Sequence, residues 1–389
     1  MTPAVVVGDE LNALGIVRSL GMAGVPLIKV VTDPAALSAR SKYGRIILVE
    51  RTDGESLVKA LIGLASQFPE KSVLFVTEEK TVRTISEHRD RLLKFYRFSM
   101  PEHERLMALM HKQGFQELAE ATGAPIPAVV QLQSVTDISK LQSLTYPCVL
   151  KPSAKDYAYG ARFAKAYVVH SAEEAASRYG EIAPVCADLV VQQWIEGDDD
   201  DIYFCLQYIG DQGPVISFTG RKLRSWPPRI GGTASCTAAW EAADELAALT
   251  SQFFADTGFT GMGSMEFKRD RRDGRFYMIE PTVARTDFQE EVATLNGVNI
   301  PLAAYRFETG LPALPVKRPA RDCTWREPLI DRWSAEQQPG TTPRGMSDAT
   351  VIDAYFRASD PMPWVQWMSE RLGMRWQAIR SRLAGRSAQ

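Results

Sequence analysis

Residues 265–281 read MEFKRDRRDGRFYMIEP, two short runs that alternate apolar and polar residues around a charged, glycine-containing turn. The pattern predicts a β-hairpin with one glutamate on each strand, Glu266 and Glu280. Side chains alternate faces along a strand, so loop length decides whether the two carboxylates meet. A loop of three or five residues sets Glu266 opposite Glu280 and gathers Met265, Phe267, Tyr277 and Ile279 on one apolar face. A two-residue loop mixes Glu266 with Tyr277 and Ile279, so the odd loop is expected. Like charges in direct opposition cost a sheet roughly 0.2–1 kcal/mol, and more when partly buried. A divalent cation between them reverses the sign, and magnesium suits a few carboxylate oxygens combined with phosphate oxygens. Taken alone, the hairpin is explained equally well by a solvated face that Lys268 or an arginine neutralises.

The flanking segments add cations in a fixed order. YPCVLKPS (146–153) is an apolar strand ending in Lys151, and AKDYAYGARFAKAYVV (154–169) is a turn and returning strand carrying Lys165. DLVVQQWIEGDDDD (188–201) is an apolar strand that stops at Gly197 before four acids. The free edge of such a strand can pair with an adenine, and an acid just beyond it can hold ribose hydroxyls. SFTGRKLRSWPPRIGGTAS (217–235) brings Arg221, Lys222, Arg224 and Arg229 to a loop ending in Gly-Gly, a composition suited to phosphate or carboxylate. Each segment alone reads as solvated surface; their order is the informative feature.

Residues 1–100 alternate strand and helix: AVVVG, then the helical LNALGIVRSLGMAG, then the strands PLIKVVTD, GRIILVE and SVLFVTEE. This predicts a mostly parallel, doubly wound sheet. Residues 101–310 open with a helix near ERLMALMHKQGFQELAEATG and continue mainly as antiparallel strands. From 311 the proline-rich GLPALPVKRPA leads into a linker and a helical tail running to 389.

The order of lysine strands, acid-ended strand, basic loop and glutamate hairpin resembles the ATP-grasp superfamily over nearly all of residues 1–310. The resemblance is to its carboxylate–amine ligase branch, near D-aspartate ligases and carbamoyl-phosphate synthetases. It implies an α/β and α+β chain: an N-terminal doubly wound domain, then two α+β subdomains clasping ATP. In HKQGFQELAEATGAPIPA, Lys112 matches the helix lysine that reaches the nucleotide phosphates, and Lys151 in VLKPS matches the second. Gln193 and Ile195 in VQQWIEG match the backbone partners of adenine, and Asp199 matches the ribose acid. Lys222 is expected on the nucleotide. Glu266 and Glu280 match the two metal-binding glutamates, which implies ATP and Mg²⁺ as cofactors. The chain departs from the usual Glu-x-Asn-Pro-Arg ending: EPTVARTDFQ puts Thr282 where asparagine completes the metal shell and brings the arginine one place late, at Arg285. The loop SAKDYAYGARF holds one glycine, Gly160.

The implied chemistry is phosphorylation of a carboxylate to an acyl phosphate, which an amine then attacks to form an amide. Arg224 and Arg285 are expected to hold the acceptor carboxylate and the acyl phosphate; Arg285 also reads as an ion-pair partner for Asp287 or Glu290. Two other functions are weighed. A non-catalytic nucleotide-binding protein is motivated by the altered EPTVAR ending. A nicotinamide-dependent oxidoreductase is motivated by VVVGDELNALG with Asp33, a turn that lacks the G-x-G-x-x-G spacing.

The bulk numbers exclude other classes. The 389 residues are 45% apolar and 24% charged with a formal net charge of -2, which argues against nucleic-acid binding along the chain. The start lacks the pattern of a secretory signal, no stretch is apolar enough to span a bilayer, and five widely spaced cysteines suit a reducing cytoplasm. In PMPWVQWMSERLGMRWQAIRSRLAGR (361–386), Trp364, Trp367, Met368, Leu372, Trp376 and Ile379 recur at near-helical spacing among Arg371, Arg375, Arg380, Arg382 and Arg386. A helix docked on the protein's own body is the leading expectation for this tail. The alternative is a peripheral contact with the inner membrane surface. Small-molecule carboxylate and amine substrates are expected as partners, and a homodimer is carried as an open reading.

Overall fold

The structure is a computed structural model and describes residues 2–153, 157–164, 166–229, 231–287, 289–344, 346 and 349–373. Lys165, Trp376, Ile379 and the arginines from 375 onward, named above, lie outside the described residues, as does part of the 153–163 loop.

The first five strands are β1 (Ala4–Val7), β2 (Leu27–Val31), β3 (Arg45–Leu48), β4 (Ser72–Val76) and β5 (Tyr96–Arg97). They form one parallel sheet in the order β3-β2-β1-β4-β5. Their apolar runs are buried on both faces, which is why β1, β2 and β4 show no polar alternation. Gly8 closes β1 at φ +144°, and a Cβ there would lie 1.9 Å from Thr77 Oγ1, so only glycine lets β1 and β4 end side by side.

A second group is β6 (Val129–Leu132), β7 (Cys148–Pro152), β8 (Tyr167–Val169) and β9 (Leu189–Gln193), an antiparallel sheet in the order β6-β9-β7-β8. Its own core includes Leu150, Val169, Tyr179, Leu189 and Val191. The helix Ala172–Ile182 packs there, begun by Ser171, whose hydroxyl accepts the Glu174 amide.

The largest sheet comprises β10 (Ile202–Gly210), β11 (Gly213–Trp226), β12 (Gly232–Ala238), β13 (Gly261–Arg269), β14 (Phe276–Val283), β15 (Cys323–Arg326) and β16 (Thr350–Asp353). Their order is β14-β13-β10-β11-β12-β15-β16. The chain divides into two compact units: residues 1–122, 198–266 and 280–389, and residues 123–197 with the hairpin tip 267–279. In the first unit one core joins β1 and β4 to the large sheet through Val6, Phe75, Phe204, Phe218 and Trp325.

One sequence expectation changes here, and the leading one for the tail is met. Residues beyond 311 are more than linker and helix: they add β15 and β16 to the large sheet and the helix Pro328–Gln337 beside it. In the tail, Trp364 and Trp367 pack against the protein's own core, and Trp367 stacks on Tyr355 at 4.6 Å. Among the described residues no helix is long and apolar enough to cross a membrane.

The hairpin forms, but with an even loop. The Asp270 amide donates to Arg275 O at 2.8 Å and the Gly274 amide to Asp270 O at 2.7 Å, enclosing residues 271–274, with Gly274 at φ +75°. Phe276 and Met278, not Tyr277 and Ile279, therefore join Met265 and Phe267 in the core. The odd-loop expectation fails because Phe276, Tyr277, Met278 and Ile279 are all apolar or aromatic, so alternation along β14 does not fix which pair faces the core.

A buried carboxyl ties the helix Glu290–Leu295 to the first helix, Leu11–Met22. Glu290, fully buried, accepts the hydroxyls of Ser19 and Thr294, each at 2.9 Å. Burial pushes its carboxyl up to about 8, against the two hydroxyl bonds that lower it. Between its ordinary value of 4.5 and about 8 the folded chain holds a proton that the unfolded chain has lost. Stability therefore falls as pH rises through that window. Glu290→Gln should flatten the slope, gaining on the order of a few kcal/mol relative to wild type at pH 8 but not at pH 4.5. Urea midpoints at the two pH values check this.

Candidate functional site

In the first unit, the cation that meets Glu266 is Lys222, at 2.8 Å on β11 and almost fully buried. Glu280 on β14 is held above its ordinary range, first by desolvation and then by the negative charge of Glu266. Lys112 and Lys222 oppose that rise, and Asp287 adds to it. The residue is exposed, so its carboxylate is reachable from solvent. Lys112 is the first residue of the helix Lys112–Thr122. In the first unit Lys222 and Glu266 are thus in direct contact, and the charges of Glu266, Lys112, Lys222 and Asp287 act on Glu280.

The segment after Glu280 carries backbone strain. Ala284 adopts φ +58°, a left-handed conformation that costs a non-glycine residue about 1–3 kcal/mol. The turn brings Thr282 Oγ1 to Asp287 Oδ2 at 3.2 Å, and Arg285 Nη1 pairs with the same carboxylate. Asp287 is a residue the sequence pattern offered only as a partner for Arg285, yet it engages both candidate site groups. Arg224 Nη1 meets Asp331 Oδ1 at 3.2 Å, and Ser235 donates to the same oxygen at 2.6 Å. Asp331 stands on the helix Pro328–Gln337, 107 residues from Arg224, and no local pattern points to it.

Asp199 has another task than the ribose contact expected of it. It is buried, with its two carboxylate oxygens accepting the backbone amides of Ser225 at 3.0 Å and Arg229 at 2.7 Å. It pins the turn between β11 and β12, where Arg229 sits at φ +69°.

In the second unit, Lys151 Nζ donates to Gln192 Oε1 at 3.1 Å. The Gln193 amide is already used, donating to Ala128 O at 2.8 Å. Ile195 lies just past β9, is buried, and makes no backbone hydrogen bond among the described residues. Of the two hinge positions, Ile195 is the one whose backbone can still pair with a ligand.

Among the described residues no group of three or more His, Cys, Asp or Glu side chains is arranged to hold a metal ion. The donor chemistry at Glu266, Glu280 and Thr282 is nonetheless all hard oxygen, the set that fits magnesium when nucleotide phosphates complete it.

A comparison with known protein families gives no match. Among curated proteins, the D-aspartate ligase of Enterococcus faecium (strain Aus0004) is 23% identical over 318 residues, covering 76% of this chain and 74% of that one. Among solved structures, the phosphoribosylglycinamide synthetase from Anaerococcus prevotii matches 80% of this chain and 75% of its own, with a TM-score of 0.62 at 12% identity. The biotin carboxylase domain dimer of the Hydrogenobacter thermophilus 2-oxoglutarate carboxylase, solved with MgADP, ADP and bicarbonate, matches 83% of this chain and 73% of its own. Its TM-score is 0.58 at 18% identity. The expected fold class is thereby met: a parallel five-stranded α/β sheet followed by the antiparallel sheets of the ATP-grasp fold.

Proposed function

We propose that this chain, a member of the ATP-grasp superfamily by fold, is an ATP-dependent ligase that joins a carboxylate to an amine. A carboxylate oxygen attacks the γ-phosphorus of ATP and ADP leaves, giving an acyl phosphate. The amine nitrogen then attacks the acyl carbon, the bond to the phosphate oxygen breaks with its electron pair, inorganic phosphate departs, and the nitrogen sheds a proton to solvent. Such chemistry asks the protein for positioning and charge neutralisation more than for a nucleophile. The observation that carries the reading is the pairing of Lys222 with Glu266 beside Glu280 and Lys112.

Glu266 and Glu280, with the Thr282 hydroxyl, would hold magnesium, which when bound offsets charge on the nucleotide phosphates. Lys112, Lys151 and Lys222 would neutralise phosphate oxygens. The Ile195 backbone, with Gln193 preceding it, would take the adenine edge, while Asp199 is left to its structural task. Arg224 and Arg285 each present five N–H donors, of which Nη1 is engaged by Asp331 and Asp287. Their carboxylate partners orient them for the acceptor carboxylate and the acyl phosphate.

A second reading, nucleotide binding without catalysis, is favoured by one observation: Thr282 spends its hydroxyl on Asp287. Product formation separates the two. Carboxylates and amines screened in pairs should give ADP release that needs both partners; ATP binding with no pair giving product supports the non-catalytic reading.

A further inference from the structure

Residues 362–373 are helical, and the two sides of this helix differ in what they meet. Trp364 and Trp367 turn inward on the core of the first unit, where Trp367 stacks on Tyr355 and holds the Arg371 guanidinium 4.8 Å from its ring centre. Glu370 lies near the same body: its charge acts on Glu10, and its carboxylate accepts the Gln366 amide at 2.8 Å. Met362, Val365, Ser369 and Leu372 are spaced three or four residues apart, so they share another side. All four are exposed, the three apolar ones at 42%, 42% and 51%. Single apolar residues on a surface need no account, but a stripe along a helix already packed on its other side does. Phe356, edge-on to Trp364 at 5.7 Å, keeps a further apolar surface open beside the helix.

The sequence carries the stripe onward. Trp376, Ile379 and Leu383 follow Leu372 at intervals of four, three and four residues, the same helical spacing. Residues 371–389 hold Arg371, Arg375, Arg380, Arg382 and Arg386 and no aspartate or glutamate, although the whole chain has a net charge of -2. Apolar residues at helical spacing among arginines alone call for a partner that is apolar and anionic at once. A second copy of this chain would bring the same arginines together, and like charges oppose such an interface. A nucleic acid would match the arginines and leave the stripe in water. A protein groove that encloses a helix needs the side that Trp364 and Trp367 keep against the core. An anionic bilayer surface meets both demands. Acyl chains take the stripe, and headgroup phosphates take guanidinium groups whose long stems stay in the apolar layer.

We propose that Met362, Val365 and Leu372, with the arginine-rich segment that follows, dock this chain on an anionic lipid surface. The helix lies along the interface with its tryptophan side on the protein and its outer stripe in the lipid. The contact does not depend on the ligase reading.

The test is co-sedimentation of the full chain with two sets of vesicles, phosphatidylcholine alone and equal parts phosphatidylcholine and phosphatidylglycerol. The anionic vesicles should bind at least about tenfold more tightly than the neutral ones, and about 0.5 M salt should remove most of that preference. Leu372→Glu places a charge in the stripe at an exposed position, so the urea midpoint should hold while anionic binding weakens about tenfold or more. Ser369→Leu closes the polar gap in the stripe and should strengthen binding several-fold, a gain that a helix merely packed on its own protein does not give. Binding to neither set of vesicles, equal binding to both, or binding unchanged by Leu372→Glu overturns the proposal. Self-association that Leu372→Glu abolishes, in place of vesicle binding, also overturns it by making the stripe an interface between copies.

Discussion

Glu280→Gln should abolish the magnesium-dependent part of ATP turnover, a loss of roughly a hundredfold or more, since several kcal/mol of charge stabilisation depends on the metal. The substitution keeps the shape of the side chain and removes one negative charge. It also relieves the repulsion with Glu266 that helps to raise the Glu280 carboxyl, so the folded protein should be unchanged or more stable by a few tenths of a kcal/mol. Loss of activity with gain of stability is a combination that a merely structural glutamate does not give. ADP release and a urea midpoint on the same preparation measure both. Full turnover in the variant would remove Glu280 from the site.

The second large effect lies far from the chemistry. Arg18 is almost fully buried on the first helix and pairs with Asp360 at 3.1 Å, with Glu291 at 3.7 Å. It also donates to the carbonyls of Ala354 at 2.8 Å and Tyr355 at 2.6 Å. Arg357 meets Glu291 at 2.7 Å, so one network binds the residues after β16 to the N-terminal sheet. Arg18→Met fits the volume but takes the contacting guanidinium from buried Asp360, leaving it the Ser41 hydroxyl, the Lys42 amide and the more distant charge of Lys29. A loss of about 3–5 kcal/mol is expected, because breaking a buried pair leaves one partner without its counter-ion. Pairing Arg18→Met with Asp360→Leu should recover part of it, since the two partners are removed together and only Lys29 loses the support of a nearby carboxylate. Urea unfolding of the three proteins reads this; a loss below about 1 kcal/mol for Arg18→Met would show that the network is solvated.

What the sequence discloses follows the range of the interactions involved. The β1–β5 sheet is legible because each strand is a short apolar run bounded by turn residues, and each helix carries its own period. The glutamate hairpin is legible for the same reason, though its loop was misread: Asp273-Gly274 places the left-handed residue that closes a four-residue loop. The strands β15 and β16 escaped notice because CTWR and TVID are four residues each and gain their hydrogen bonds from β12 and from each other. Asp331 and Asp199 escaped for a related reason. An acid's partner is settled by folding, and the partners of these two lie 107 and 26 residues away. Asp287 was visible as a neighbour of Arg285, but its bond to Thr282 depends on the left-handed turn at Ala284, which no residue type there announces.

The most direct test of the central claim is a thermal titration of the wild-type chain with ATP and with NADH, each with and without magnesium. ATP should stabilise the protein saturably and only with magnesium, and NADH should leave it unchanged. Stabilisation by NADH alone, or by neither nucleotide, would contradict the account and return Glu266 and Glu280 to the status of surface charges.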